Sequence, residues 1–319
     1  PFKRMPYNEA VQKYGSDKPD LRFGLELVNI EDAVKESEFK VFSGAIAGGG
    51  TVCGINAKRL ASLLTRKEID NLTEEMKGCG AKGLAFTKIN KDGSSSSTYE
   101  KFLTEQEKAK IRRMMNAGEN DVIFIIADTN RGLVLELLGI LRCKLAEKFS
   151  LIDENAKPCF VWVVDFPLFE YSEEEKRYVA KHHPFTSPRD EDIENIENAP
   201  DKVYAKAYDL VLNGNEIGGG SIRINDPKVQ DKMFKALGFS EEEAQKRFGF
   251  LLEAFKYGAP PHGGMAFGLD RLVMLMLECK SIREVIAFPK VASSAELMTD
   301  SPGTVDKKQL DELGIKTDF

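Results

Sequence analysis

Residues 207–224, AYDLVLNGNEIGGGSIRI, hold two carboxylates at a spacing that could do chemistry. An Asn213-Gly214 pair between two strand-like runs predicts a two-residue type I′ hairpin, because both central positions must take φ > 0. Pairing Leu212 with Asn215 sets Val211 opposite Glu216 and Asp209 opposite Gly218. Side chains alternate along a strand, so Asp209 and Glu216 fall on one face as diagonal neighbours. Carboxylates so placed repel, and a divalent cation relieves the repulsion. Mg²⁺ held by one or two carboxylates plus phosphate oxygens is the common arrangement. Two unrelated acids on a solvated face are the alternative at this level.

Three glycines, 218–220, follow at once. Glycine weakens a strand interior, so a bulge or the close approach of a ligand to bare backbone is expected there. Glu216 and Arg223 are seven residues apart and would lie on opposite faces of an unbroken strand. A one-residue bulge within the glycines brings Arg223 round to the carboxylate face. His182 and His183 are adjacent in a strand-like run, so only one of them is expected in a given pocket, and a bis-histidine metal site is not expected. Gly268, Leu269, Asp270 and Arg271 open an apolar-periodic helix. Its free N–H groups and the Arg271 fork could receive phosphate oxygens.

The elements that must carry these residues separate by texture. Residues 1–24 are polar, and GSDKPDLRFG reads as a loop punctuated by Gly, Asp and Pro. Between 25 and 150, strand and helix patterns alternate. Residues 39–47 and 51–57 read as a hairpin around Gly48–Gly50. A helix capped by Thr65 and Glu68 follows, then a strand at 84–89, a loop at 94–98, a helix at 105–116, a strand at 122–127 apolar on both faces, and a helix at 132–149. From 158 to 224, four strand-like runs with short connections predict an antiparallel sheet, and helices follow from Asp226 and Ser240. The fold class is therefore α+β, with segments 1–24, 25–150 and 151–319.

Composition narrows the function classes. Of the 319 residues, 42% are hydrophobic and 30% charged, as in globular proteins, and no apolar run is long enough to span a membrane. A net charge of −6 argues against a generally basic polyanion binder. The five cysteines form no C-x-x-C pair, which fits a reducing cytoplasm better than a disulfide framework or zinc site.

Taken together, MPYNEAVQKYGSDKPDLR, FVWVVDFPLFE, HHPFTSP, AYDLVLNGNEIGGGSIRI, FGFLLEAFKYGAPPHGGMAFGLDRLVML and IREVIAFPK closely resemble the bacterial aspartyl-tRNA synthetases. GAPPHGGMAFGLDR resembles motif 3 of class II synthetases, and residues 25–150 resemble the GAD insertion domain. The resemblance implies a partial class II antiparallel-sheet catalytic domain interrupted by an α+β GAD domain. It implies ATP-dependent activation of L-aspartate and transfer to tRNA by a cytoplasmic enzyme that is a homodimer at full length. It further implies that His182 and Arg223 bind aspartate, with His183 a neighbour. Glu216 and residues 268–271 would bind ATP, and Asp209 with Glu216 would hold Mg²⁺. The anticodon-binding OB-fold and motifs 1 and 2 of that family are not recognisable here. The chain therefore reads as a C-terminal portion, expected to be inactive alone and to expose apolar surface. A non-catalytic synthetase-like protein that uses the GAD module for interaction is the second reading, though retention of Asp209, Glu216, Arg223 and Arg271 together argues against it.

Overall fold

The computed structural model describes residues 1–317; positions 318 and 319, the end of the expected 151–319 segment, lie outside the described residues. The chain divides into two compact units, the first running to Ala266 and the second starting at Phe267. Among the described residues the first unit holds two five-stranded sheets and a separate hairpin.

One sheet is built from strands distant in sequence. Its order is β1 (Lys3–Pro6), β7 (Phe160–Val164), β10 (Ala207–Leu212), β11 (Asn215–Ile222) and β12 (Gly263–Phe267). β7, β10 and β11 pair antiparallel, as expected, but β1 joins parallel to β7 with Lys3 beside Val161. The polar opening therefore does more than make a loop: it supplies that strand and α1 (Tyr7–Tyr14), which Gly15 ends at φ 70°. One core contains Met5, Ala10, Val161, Val163, Phe166 and Val211, with Met233 from α7 (Pro227–Ala236) and Leu237 just after it. A second, largely aromatic cluster joins Phe185 and Phe234 to α8 (Glu241–Lys256). The hairpin β8 (Phe169–Ser172) and β9 (Arg177–Ala180) stands apart from the sheet.

The other sheet, β2 (Val28–Asn29), β3 (Thr51–Ala57), β6 (Val122–Asp128), β4 (Ala85–Ile89) and β5 (Ser95–Ser97), shows why residues 122–127 are apolar throughout. Val122, Phe124 and Ile126 face a core shared with α4 (Arg66–Gly78) and α6 (Arg131–Lys148). Ile123 and Ile125 face a different core, beneath α2 (Glu31–Val34), α3 (Lys40–Ala47) and α5 (Glu105–Met114). Residues 39–47 were expected as a strand, and they form α3 instead. Phe42 and Ala45 are its buried residues, so the run follows a helical period that a short apolar stretch does not distinguish from a strand. Residues 94–98 were expected as a loop, yet Ser95–Ser97 pair with β4 as an edge strand. The capping boxes at Thr65/Glu68 and Ser240/Glu243 are both formed.

The second unit contains α9 (Leu269–Met276) and α10 (Lys307–Glu312). Met274 is buried, whereas Phe267, Leu269, Met276 and Leu277 are exposed. In the first unit Phe250 and Tyr257 are exposed as well. Among the described residues no helix is long and apolar enough to cross a membrane.

α6 also touches the first sheet's segment. A Cβ on Gly139 would lie 2.7 Å from the Gly15 oxygen and 3.0 Å from its carbonyl carbon and Cα, all of them backbone atoms. Gly139→Ala should therefore cost about 1–3 kcal/mol by overpacking. Gly44→Ala, in the interior of α3 with nothing within 4 Å of the new methyl group, should be neutral or gain up to about 1 kcal/mol. Urea denaturation of both variants checks this. Equal stabilities would contradict the close docking of α6 on Gly15.

Candidate active site

The site begins with the turn at Asn213 (φ 51°) and Gly214 (φ 80°), the two positive values that a type I′ hairpin requires. Leu212 pairs with Asn215 and Val211 with Glu216, but Leu210 then pairs with Gly218, which leaves Ile217 as the extra residue. The expected bulge exists and precedes the glycines instead of lying within them. Asp209 consequently faces Gly219, not Gly218. The bulge sets Val211, Asp209 and Ala207 in line with Glu216, Gly219 and Ser221, and alternation carries Arg223 to the same side.

The glycines are explained by neighbours within the chain. A Cβ on Gly219 would lie 2.4 Å from Asp209 Oδ1 and 3.5 Å from Glu216 Oε1, so both carboxylates crowd over that residue. A Cβ on Gly220 would lie 1.9 Å from the Gly264 oxygen of β12.

Asp209 is 8% exposed, on the face that sends Ala207 and Val211 into the core. Burial first, and the neighbouring Glu216 second, push its pKa up to about 6. Lys18 opposes that rise. Its ammonium lies 3.5 Å from Glu216 and 3.1 Å from Asp17. Burial works against the charge on Lys18, but Asp17, Glu216 and Asp209 together outweigh it and raise the lysine. Lys18 and Asp17 come from the loop after α1, where sequence reasoning saw only punctuation. The adjacent charges in GSDKPD were the available signal.

β9 ends at Ala180, so the two histidines lie in the following loop and not in a strand. They still separate. His182 packs edge-on against Phe166, with ring centroids 4.8 Å apart, and feels Asp17, Glu216 and Lys18. His183 accepts the Phe185 N–H at Nδ1, 3.2 Å away, and feels Arg223. Both are lowered, His182 by burial and then Lys181, His183 by burial and then Arg223. Arg223 is held through its backbone, which bridges Thr186 and donates to the His262 carbonyl at 2.9 Å. The structure thus sets His182 near Asp17, Glu216 and Lys18, and His183 near Arg223.

In the second unit Gly268 is the residue before α9, and the Arg271 side chain folds back to within 3.7–3.8 Å of where a Gly268 Cβ would be. Asp270 and Arg271 both sit in the first turn, and Leu269 is exposed. No cluster of three or more His, Cys, Asp or Glu side chains suited to a metal occurs among the described residues.

The Asp209 shift carries a sign. Its folded value lies above the ordinary 3.8, so between about pH 4 and 6 the folded protein retains a proton that the unfolded chain has lost. Stability from this group is complete below pH 4 and is lost as pH rises through 6. In EDTA at pH 7.5, Asp209→Asn should stabilise the protein by about 1–3 kcal/mol. Thermal melting across the range should show the gain vanishing near pH 4. Coincident melting curves at pH 7.5 would mean that the carboxylate is not destabilised by its surroundings.

The family model for tRNA synthetases class II (D, K and N) matches residues 1–292. The chain is 58% identical over 319 residues to the Aspartate--tRNA(Asp/Asn) ligase of Caldanaerobacter subterraneus subsp. tengcongensis, covering 100% of this chain and 53% of that protein. It is 53% identical over 315 residues to the Aspartate--tRNA ligase of Agathobacter rectalis, covering 99% and 52%. Among solved structures, the aspartyl tRNA synthetase from Entamoeba histolytica is 27% identical with a TM-score of 0.34, over 48% of this chain and 26% of that one. The chain spans about half the length of the curated relatives it matches. With the family model extending from the first residue through the bulged hairpin and the start of α9, the chain belongs to the class II tRNA synthetases of the D, K and N group.

Proposed function

We propose that this chain carries part of the site of an aspartate–tRNA ligase. There the α-carboxylate of L-aspartate attacks the α-phosphorus of ATP, pyrophosphate leaves, and the aspartyl group passes from the adenylate to tRNA. The observation that carries the reading is the bulged hairpin, which gathers Asp209 and Glu216 over Gly219; strand alternation continued past Ile222 would turn Arg223 to the same side. Catalysis of this kind rests mainly on positioning and on neutralising phosphate charge.

Arg223 would pair with the side-chain carboxylate of aspartate. A guanidinium opposite a neutral amide loses most of that pairing, which separates aspartate from asparagine. His183 stands beside Arg223, its lowered pKa favouring the neutral ring at pH 7, so it can orient a substrate without adding charge. His182 would contact the aspartate from the other side, and Glu216 with Gly268, Leu269, Asp270 and Arg271 would meet ATP. The carboxylate pair fits Mg²⁺, because Asp209 and Glu216 bring hard oxygen ligands together over Gly219. When bound, the ion supplies charge neutralisation on the ATP phosphates.

Residues 25–150 would be the GAD domain of that family, built on the β2–β3–β6–β4–β5 sheet. The exposed Phe250, Tyr257, Phe267 and Leu269 would pack against other parts of a full-length homodimer. Five unpaired cysteines suit a cytoplasmic enzyme. The relatives' names include both aspartate-specific and Asp/Asn tRNA ligases, so tRNA choice is the part of the reading that varies among them.

The test is exchange of labelled pyrophosphate into ATP by a protein of the relatives' full length carrying this sequence. Exchange should require aspartate and ignore asparagine. Arg223→Ala should lower kcat/KM for aspartate by about 10²–10³, as expected for removing one side of a buried charged pair, while leaving the KM for ATP within a few-fold. Exchange supported equally by asparagine, or indifferent to the loss of Arg223, would rule out the assignment.

A further inference from the structure

We propose that Lys18 is the internal counter-ion of the Asp209–Glu216 pair, and that Arg142 in α6 is the positioning residue that holds it there. The inference rests on the reading of that pair as the cation site. The Lys18 ammonium is 3.5 Å from Glu216 Oε2 and 3.1 Å from Asp17 Oδ1, with about a third of the lysine side chain exposed.

The loop that carries Lys18 is fixed at both ends by the other sheet's helix. At its start, Gly15 lies against Gly139 of α6, backbone to backbone. At its end, the Arg142 guanidinium, whose residue is 1% exposed, donates to three carbonyls. Nη2 reaches Asp20 at 2.6 Å and Phe23 at 2.9 Å, and Nε reaches Gly24 at 3.1 Å. The Tyr14 and Phe23 rings flank it, with their centroids 4.9 and 4.0 Å from its central carbon. A guanidinium can satisfy several carbonyls of a turning chain because its donors form a rigid planar fork, which a lysine lacks. Asp20 itself clamps Arg22 through its carboxylate, with Nη2 2.7 Å from Oδ2. Asp20 also lies under the hairpin turn, where a Cβ on Gly214 would be 3.1 Å from its own Cβ. Only residues 16–19 are left to span from α6 to the carboxylates. Within them the Lys18 N–H is tied to Ser16 Oγ at 3.0 Å.

This arrangement makes the first sheet's carboxylates depend on the second sheet's helix. With no cation bound, the ammonium supplies the missing positive charge, so a divalent ion arriving alone must displace it. A nucleotide-bound ion brings phosphate oxygens that can receive the released lysine. The device favours entry of the cation together with nucleotide over entry of the bare ion.

Mn²⁺ alone, titrated into the 319-residue chain and followed by EPR of the free ion, tests each part. Lys18→Met should tighten nucleotide-free Mn²⁺ binding about five- to tenfold, the scale of removing one unit charge at this distance in a solvent-exposed setting. Asp209→Asn should abolish that site in both backgrounds. Arg142→Lys should tighten binding in the same direction, and the double variant with Lys18→Met should bind no better than Lys18→Met alone. Gly139→Ala, which pushes the loop from its other end, replaces Arg142→Lys if that variant does not fold. Mn²⁺ binding indifferent to Asp209→Asn would overturn the cation-site reading and the inference with it. Binding that needs Asp209 yet is unchanged in Lys18→Met would overturn the inference and leave the site reading standing. A lowered melting temperature for Arg142→Lys with wild-type Mn²⁺ affinity would assign Arg142 a structural role only.

Discussion

A carboxylate held against hydrocarbon, as Asp209 is beside Val163 and Val211, costs free energy until a proton or a cation meets it. Several otherwise unrelated features of the structure follow from accommodating that charge. The bulge at Ile217 sets Gly219, and not Gly218, opposite Asp209. Gly219 has no side chain because the Asp209 carboxylate occupies the space a Cβ would take. Lys18 reaches across from another part of the chain to supply a positive charge. A pair this crowded is unfavourable as structure alone, and clusters of groups whose environments oppose their charged forms are characteristic of functional sites.

How legible this was depended on the range of the forces involved. The hairpin was readable because Asn213-Gly214 determines its own turn and a parity count over seven residues demanded a bulge. That bulge sits one position before the glycines, because the glycines answer to Asp209 and to the Gly264 backbone, contacts that strand pairing creates. The helices at Thr65 and Ser240 were readable from capping boxes, which are local. Residues 39–47 were misread as a strand because a short apolar run satisfies both periods, and only the core around Ile30, Val34 and Ile125 selects the helix. The histidine loop was read as a strand for a similar reason. In the loop, His182 and His183 nonetheless have different charged neighbours.

The partners of Asp17, Lys18 and Arg142 were not legible in the sequence for a different reason. Lys18 and Glu216 are almost two hundred positions apart in the chain, and Arg142 makes no local pattern at all. It sits within the leucine-rich α6, where an arginine reads as the solvated face of an amphipathic helix. In the fold it is among the most buried residues. Burying a guanidinium among carbonyls and two rings, with Asp20 the nearby acid, lowers its pKa through desolvation. Such a cost is tolerated where the donors satisfy backbone groups that would otherwise be buried unpaired.

The parallel pairing of β1 with β7 explains why that clamp lies where it does. Lys3 stands beside Val161, and Phe2 stacks on Phe160 with ring centroids 4.5 Å apart, so everything between is an excursion whose two ends must meet. Closing a long excursion costs entropy that grows only slowly with its length. The larger demand is geometric: α1 leads out of the first sheet and α6 leads back toward it, so the two pack near the crossing. Gly15 and Gly139 allow their backbones to touch, and Arg142 ties off the chain leaving α1 just before it enters β2. The loop at 16–19 is therefore short and anchored because of topology, and topology also leaves its tip beside the β10–β11 turn. An ammonium at that tip has the carboxylate pair within reach, so the device that steadies the crossing also delivers charge to the site.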